Sequence, residues 1–353
     1  MSLTIVEARE AADRLGEFDS VIDARSPSEF AEDFLPGALN WPVLDDGERR
    51  LVGTLYKQVS ALQARKVGAA LVAKNVAQHI ERHVADKPRE WRPLVYCWRG
   101  GQRSGSLAWF LSQIGFRTFQ LAGGYKAFRA LVREDLEQLP ARFDFRVLAG
   151  RTGSGKTRLL QALRDQGAQV LDLEALACHR GSVLGGLPDK PQPPQKRFDT
   201  LLWQALRALD PARPVFVESE SQKVGSVRVP DALILRLREH GRCTVVEMAE
   251  DARVALLLED YGFFAADPER FCRLIDGLVE LRGRETVQRW QRQARAGAWS
   301  EVFAEMMREH YDPLYLRSMD KHFLHLAQAP CLVLRDGGTD NLQAAARELL
   351  SQA

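Results

Sequence analysis

Apolar runs of four or five residues alternate with stretches of helical periodicity, and the alternation occurs twice along the chain. Ser20-Val21-Ile22-Asp23 reads as a strand ending on a carboxylate. Arg92-Pro93-Leu94-Val95-Tyr96 reads as a second strand, ending at Cys97, and Thr118-Phe119-Gln120-Leu121 as a third, followed by Gly123-Gly124. Ser104 to Ile114 is helical and is closed by Gly115. This order predicts a mostly parallel α/β sheet. A long insertion, roughly Asp45 to Glu90, separates the first two strands; Ala69, Val72, Val76, Ile80 and Val84 recur in it at helical spacing. A helix then runs to about Gln138, and Leu139-Pro140 breaks it. The break divides the chain into domains 1–138 and 141–353.

The second pattern starts with a strand through Phe143, Phe145, Val147 and Leu148, a glycine loop, and a helix from Arg158 to Gln166. Ala168–Leu173, Pro214–Val217 and Thr244–Met248 read as further strands, and the Pro-rich stretch Leu187–Pro194 as an exposed loop. Asp267 to about Leu326 is helical, Cys331–Leu334 is a last strand, and Asn341–Leu350 a last helix. A strand after the helical block makes residues 267–326 an insert within the second domain. The fold class expected is therefore two parallel-sheet α/β domains, the second with a helical insert.

Charge and composition narrow the function. With 353 residues, 49 Lys+Arg against 47 Asp+Glu and a formal net charge of +2, the chain cannot coat nucleic acid by bulk charge. Its 45% apolar and 27% charged residues fit a folded globular protein. No apolar run approaches a membrane span, and the opening residues lack the features of a secretory leader. Cys97, Cys178, Cys243, Cys272 and Cys331 are odd in number and include no CxxC pair, which points to a reducing, cytoplasmic setting.

Cys97-Trp98-Arg99-Gly100-Gly101-Gln102-Arg103-Ser104 links a strand to a helix. Backbone N–H groups of such a loop converge on an anion, helped by the helix N-terminus. A cysteine at the base of that cradle is a candidate nucleophile. Arg99 and Arg103 are candidate anion donors, and Gly100 and Gly101 permit the turn. The anion site expected thus comprises Arg99, Gly100, Gly101, Gln102, Arg103 and Ser104 around Cys97.

Here the chain resembles the rhodanese family. The resemblance is carried by Asp23-Ala24-Arg25-Ser26-Pro27-Ser28-Glu29-Phe30, by Leu35-Pro36-Gly37-Ala38-Leu39-Asn40 and by Leu121-Ala122-Gly123-Gly124-Tyr125. Five residues lie between Cys97 and Arg103, more than is usual in sulfurtransferase members and matching the phosphate-holding loop of rhodanese-like phosphatases. A Cys-x5-Arg phosphatase is therefore one alternative; a sulfurtransferase coupled to an ATPase is another.

Gly150-Arg151-Thr152-Gly153-Ser154-Gly155-Lys156-Thr157 fits G-x-x-x-x-G-K-[ST] at each defined position, between an apolar strand and a helix. Such a loop wraps a diphosphate with its N–H groups; Lys156 neutralises charge and Thr157 can hold Mg²⁺. The acid expected beside it, ending a later strand, is Glu218 or Glu220 of Val215-Phe216-Val217-Glu218-Ser219-Glu220, with Asp172 a further candidate. Thr157 and Glu218 are the candidate pair for Mg²⁺.

The two domains together resemble the tRNA 2-selenouridine synthase family. Its marks here are Gly53-Thr54-Leu55-Tyr56-Lys57-Gln58, Tyr96-Cys97-Trp98-Arg99-Gly100-Gly101, the phosphate loop with Ala149, Val217-Glu218-Ser219-Glu220-Ser221 and His310-Tyr311-Asp312-Pro313. The resemblance implies S-alkylation of wobble 2-thiouridine in tRNA by geranyl diphosphate. Selenium from selenophosphate, delivered through Cys97, then replaces the geranylthio group. It also implies tRNA as partner and an enzyme that supplies selenophosphate. The residues alone allow ATP on the phosphate loop as readily as a prenyl diphosphate. For the tRNA surface, the Arg-rich stretch Arg282, Arg284, Arg289, Arg292 and Arg295 with Trp290 is the first candidate, and Lys57, Lys66 and Lys74 the second.

Overall fold

The computed structural model describes residues 3–324 and 326–352, so Met1 and Ser2 of the opening stretch lie outside it. The chain packs as two units, Met1–Asp135 with Lys196–Gln204, and Leu136–Gln195 with Ala205–Ala353.

The first unit is built on five parallel strands, β1 (Leu3–Val6), β2 (Ser20–Asp23), β3 (Ala38–Asn40), β4 (Pro93–Tyr96) and β5 (Thr118–Leu121), in the order β1-β5-β4-β2-β3. All four residues of β4 and of β5 are buried, as expected of strands covered on both faces. Two strands were not evident from the pattern. β1 exposes three of its four residues, and β3 has only three residues after the Pro36-Gly37 turn, so neither reads as an apolar run. Inside, Asp23 and Arg25 form a buried ion pair, and the Arg25 guanidinium lies over the Tyr125 ring at 4.0 Å. Such a pair would be costly unless fully bonded; Arg25 also donates to the Asp33 carbonyl at 2.6 Å.

The single cut expected at 139–140 needs correction. Residues 196–204 belong to the first unit although their sequence lies deep in the second pattern. There Thr200 Oγ1 donates to Asp33 at 2.8 Å, Trp203 Nε1 donates to Asp135 at 2.8 Å, and Trp203 meets Phe128 edge-on. These long-range contacts leave no mark in local periodicity. The insertion also differs: it holds two helices, Asp46–Gln58 and Ala61–His83, and the spacing from Ala69 to Ile80 belongs to the second.

The second unit has five more parallel strands, β6 (Phe145–Ala149), β7 (Gln169–Leu171), β8 (Val215–Glu218), β11 (Arg242–Met248) and β12 (Cys331–Leu334), in the order β12-β11-β6-β8-β7. A two-residue hairpin, β9 (Lys223–Val224) and β10 (Val227–Arg228), stands apart. Because β12 pairs with β11, the helices between them are an insert in this unit. Those helices have their own core, with Phe264, Phe271, Trp290 and Met306 fully buried.

Candidate active sites

Each sheet presents a glycine loop at the carboxyl end of its middle strand, where parallel sheets commonly bind ligands. In the first unit, β4 delivers Cys97 into the loop and the helix Gln102–Ile114 begins just beyond it. Cys97 is 3% exposed, and Ser104 Oγ donates to its sulfur at 3.2 Å. Gln120 braces the loop, donating to Gly100 O at 2.7 Å and to Ser104 Oγ at 3.2 Å. Gly124 lies so close that a Cβ there would stand 2.2 Å from Cys97 O and 2.5 Å from Gly100 N.

The residues expected around the thiol divide. Ser104 is buried against it, while Arg99, Gly101 and Gln102 are exposed beside it. Arg103 is a correction: its guanidinium is engaged by Glu29 at 2.7 and 3.4 Å and is not a free cationic donor. Burial works against the Glu29 carboxylate, but the hydrogen bond from Arg103 and the charges of Arg103 and Arg49 hold it below its usual range. The pairing follows from the same Asp-x-Arg-x-x-x-Glu segment that marked the fold, yet its partner was not evident from spacing.

In the second unit, β6 runs into Gly150 and the helix Lys156–Asp165 follows Gly155, whose φ of +84° favours glycine. Lys156 Nζ donates to Gly150 O at 2.7 Å and Arg151 O at 3.2 Å. Ser154 Oγ is buried without a hydrogen-bond partner. The loop opens on a cavity of about 600 Å³. Its lining includes the apolar Leu256, Leu257, Leu314, Met319 and Phe323, the carboxylates Glu174, Glu218 and Glu220, and the cations Lys156, Arg180 and Arg238.

Glu218 ends β8 in register with Leu148 of β6, which sets it beside the loop. Burial raises its pKa, against the charge of Lys156 and a hydrogen bond with Thr157, and its Oε1 has no partner. Burial and neighbouring carboxylates also raise Glu174 and Glu220. Asp172 serves otherwise: it caps the helix Leu173–Ala177 by accepting from Ala175 N at 2.9 Å, and it meets Arg164 at 3.3 Å.

Several residues of this site were not anticipated. Glu174 lies in a short helix without a recognisable motif. Arg253, 4% exposed, donates to Thr152 O at 2.7 and 2.9 Å and to both oxygens of Asp312 at 2.7 and 2.9 Å, tying the phosphate loop to the helix Asp312–His322. Tyr315 of that helix accepts the Gly150 N–H. Only Asp312 carried a signal, within His310-Tyr311-Asp312-Pro313.

The Arg-rich stretch is a second correction. Trp290 is fully buried, with Nε1 donating to Glu305 at 3.2 Å, so it cannot stack on a base. Arg289 is held by Glu305 and Glu309, each at 2.9 Å, and Arg295 by Glu269 at 2.6 and 3.0 Å. Arg282 donates to His310 Nδ1 at 2.9 Å. Arg284 and Arg292 are exposed. The helix packs its apolar side into a bundle whose neighbours supply the acids that pair with Arg289 and Arg295.

The fold and the two loops define a class: a rhodanese-like thiol domain joined to a P-loop domain. A family model described as a rhodanese-like domain matches residues 7–131, and one described as the AAA domain of tRNA 2-selenouridine synthase matches 143–276. A tRNA 2-selenouridine synthase of Shewanella piezotolerans is 31% identical over 91% of this chain and 94% of its own length. One of Hydrogenovibrio crunogenus is 34% identical over 85% and 89%. One of Nitrosomonas europaea is 38% identical over 68% of this chain, and there the match spans 63% of the relative. The chain belongs to the tRNA 2-selenouridine synthase family.

Proposed function

We propose that the chain replaces sulfur by selenium at the wobble 2-thiouridine of tRNA in two steps. In the first, the tRNA sulfur attacks C1 of geranyl diphosphate; a C–S bond forms and diphosphate leaves. In the second, the Cys97 thiolate takes the phosphoryl group of selenophosphate and the P–Se bond breaks; the released hydroselenide attacks C2, a C–Se bond forms and geranylthiolate departs, and water then frees phosphate from Cys97, so that no atom changes oxidation state. Alkylation makes the sulfur a better leaving group, which is why the first step precedes the second.

One observation supports the first step best. The phosphate loop and the apolar side chains of Leu256, Leu257, Leu314, Met319 and Phe323 line one cavity. A prenyl diphosphate would use both, its diphosphate on the loop and its hydrocarbon chain against the apolar side chains. Lys156, Ser154 and the loop N–H groups would hold the diphosphate. Among the described residues no three His, Cys, Asp or Glu side chains group to hold a metal alone. The unpartnered Glu218 Oε1 beside Thr157 nevertheless suits Mg²⁺, which binds few protein oxygens and completes its shell with phosphate and water. Mg²⁺ there would neutralise the departing diphosphate.

For the second step we assign the nucleophilic thiol to Cys97. Five residues between Cys97 and Arg103 give the loop the length of a phosphate-holding one, which suits selenophosphate, and a separate enzyme would supply that donor. The deciding experiment is nucleoside analysis of tRNA from cells lacking the gene and from cells with it restored. Loss of 2-selenouridine with 2-thiouridine retained is the expected result; unchanged 2-selenouridine would refute the reading.

A further inference from the structure

The helical hairpin Asp46–Gln58 and Ala61–His83 has an unusual charge pattern. From Arg49 to Ile80 it carries Arg49, Arg50, Lys57, Arg65, Lys66 and Lys74 and no Asp or Glu, although the whole chain is nearly balanced. Arg49 is held by Glu29 at 2.9 Å. Lys57, Arg65, Lys66 and Lys74 are exposed, and among the described residues no ion pair engages them. A solvated helix ordinarily intersperses both signs, as the Arg284–Arg295 helix and its neighbours do.

The hairpin is fixed at one end and bare at the other. Asn75 donates to Val43 O at 3.2 Å and to Glu48 at 2.7 Å, and Trp41 stacks on His83 at 4.9 Å. By contrast, the first helix buries none of its residues. Near the turn, Tyr56 is 61%, Val59 65% and Leu62 62% exposed. Lys66 and Lys74 stand about 12 Å apart along the second helix, so the cations form a track, not a point.

A single-sign track is complementary to a polyanion, because each neutralised phosphate releases counterions. A solvent-facing ring beside it is a stacking platform for an unpaired base. We propose that this hairpin docks the phosphate backbone of the RNA substrate through Lys57, Arg65, Lys66 and Lys74, with Tyr56 stacking on an unpaired base. This rests on the reading above that the substrate is tRNA.

The test is a fluorescence-anisotropy titration of full-length protein with a tRNA transcript at several salt concentrations. The variants are a quadruple Lys57→Glu, Arg65→Glu, Lys66→Glu, Lys74→Glu; a charge-keeping triple Lys57→Arg, Lys66→Arg, Lys74→Arg; and Tyr56→Ala. Charge reversal should weaken binding about a hundredfold or more near 0.1 M salt and lower the salt slope by roughly 3, at about 0.7–0.9 per contact. The charge-keeping triple should bind like the wild type, which separates charge from folding. Tyr56→Ala should weaken binding by roughly fivefold or more with the slope unchanged. If the wild type binds and the reversed variant superimposes on it, the inference falls and the tRNA reading stands. If the wild type does not bind tRNA, both fall. Loss of binding to anionic phospholipid vesicles in the reversed variant, with RNA binding intact, would assign the track to a membrane surface and overturn the inference.

Discussion

The two loops share one plan and differ in what surrounds it. Each follows the middle strand of a parallel sheet, turns on glycines and opens a helix, whose N-terminus favours an anion. Around the thiol loop, the chemistry is in the loop itself: Cys97 is its base and Ser104 its hydrogen-bond donor. Around the phosphate loop the chemistry is outside it, in Glu174, Glu218 and Glu220 and in the Arg253–Asp312 tie. On the function proposed above, the first brings an anion to a nucleophile and the second holds an anion together with a cation while the tRNA sulfur reacts.

Two substitutions test that division of labour, in order of effect. Cys97→Ser replaces a thiolate with a much weaker nucleophile and should cut selenium incorporation by roughly a thousandfold or more. Diphosphate binding measured by calorimetry should be unchanged in this variant; selenation at the wild-type rate would remove Cys97 from the second step. Lys156→Ala removes a charge-assisted contact worth about 1.5–3 kcal/mol, a tenfold to hundredfold loss in binding. Alkylation of 2-thiouridine, followed by chromatography of digested tRNA, should fall accordingly, and pre-geranylated tRNA should restore product. Equal impairment on that tRNA would show that the phosphate loop serves both steps.

How the loops differ in legibility follows from the same contrast. Both loops could be read because their residues are contiguous: Cys97 to Ser104, and Gly150 to Thr157. What surrounds them comes from distant segments. Glu29 on Arg103, Arg253 on Thr152 and the 196–204 segment in the first unit arise from tertiary packing, which local periodicity does not encode. The pairing of Arg289 and Arg295 was hidden for the same reason, since their acids, Glu269, Glu305 and Glu309, lie on other helices. The bare hairpin was visible as lysines only; that they lack partners required the fold.

A glycine pair sharpens the comparison at the backbone. Gly124 has φ +58° and meets Cys97 O, whereas Gly101 has ordinary φ and open space around its Cβ position. Gly124→Ala should cost roughly 1–3 kcal/mol, read as a lower midpoint in urea unfolding, while Gly101→Ala should leave the midpoint nearly unchanged. Identical midpoints would mean that the loop backbone yields to a methyl group.

The smallest effect expected is the pH dependence of cation binding at the phosphate loop. Burial and the neighbouring Glu218 push Glu220 up to about 7. A carboxyl raised in the folded state keeps a proton that the unfolded chain loses near the ordinary carboxylate value. Its contribution to stability is therefore complete below that value and declines as pH rises toward 7. Cation binding runs the other way, because the ion must displace the proton. Affinity for Mg²⁺ in the presence of pyrophosphate should rise from pH 6 to pH 8 by up to roughly tenfold for one displaced proton. Glu220→Gln should flatten the rise. Among the described residues no carboxylate lines the cavity beside the thiol loop, so phosphate binding in a Lys156→Ala background should lack a step tied to Glu220. A rise that persists in Glu220→Gln would assign the proton to Glu174 or Glu218, and a flat wild-type profile would leave the carboxylates out of cation binding altogether.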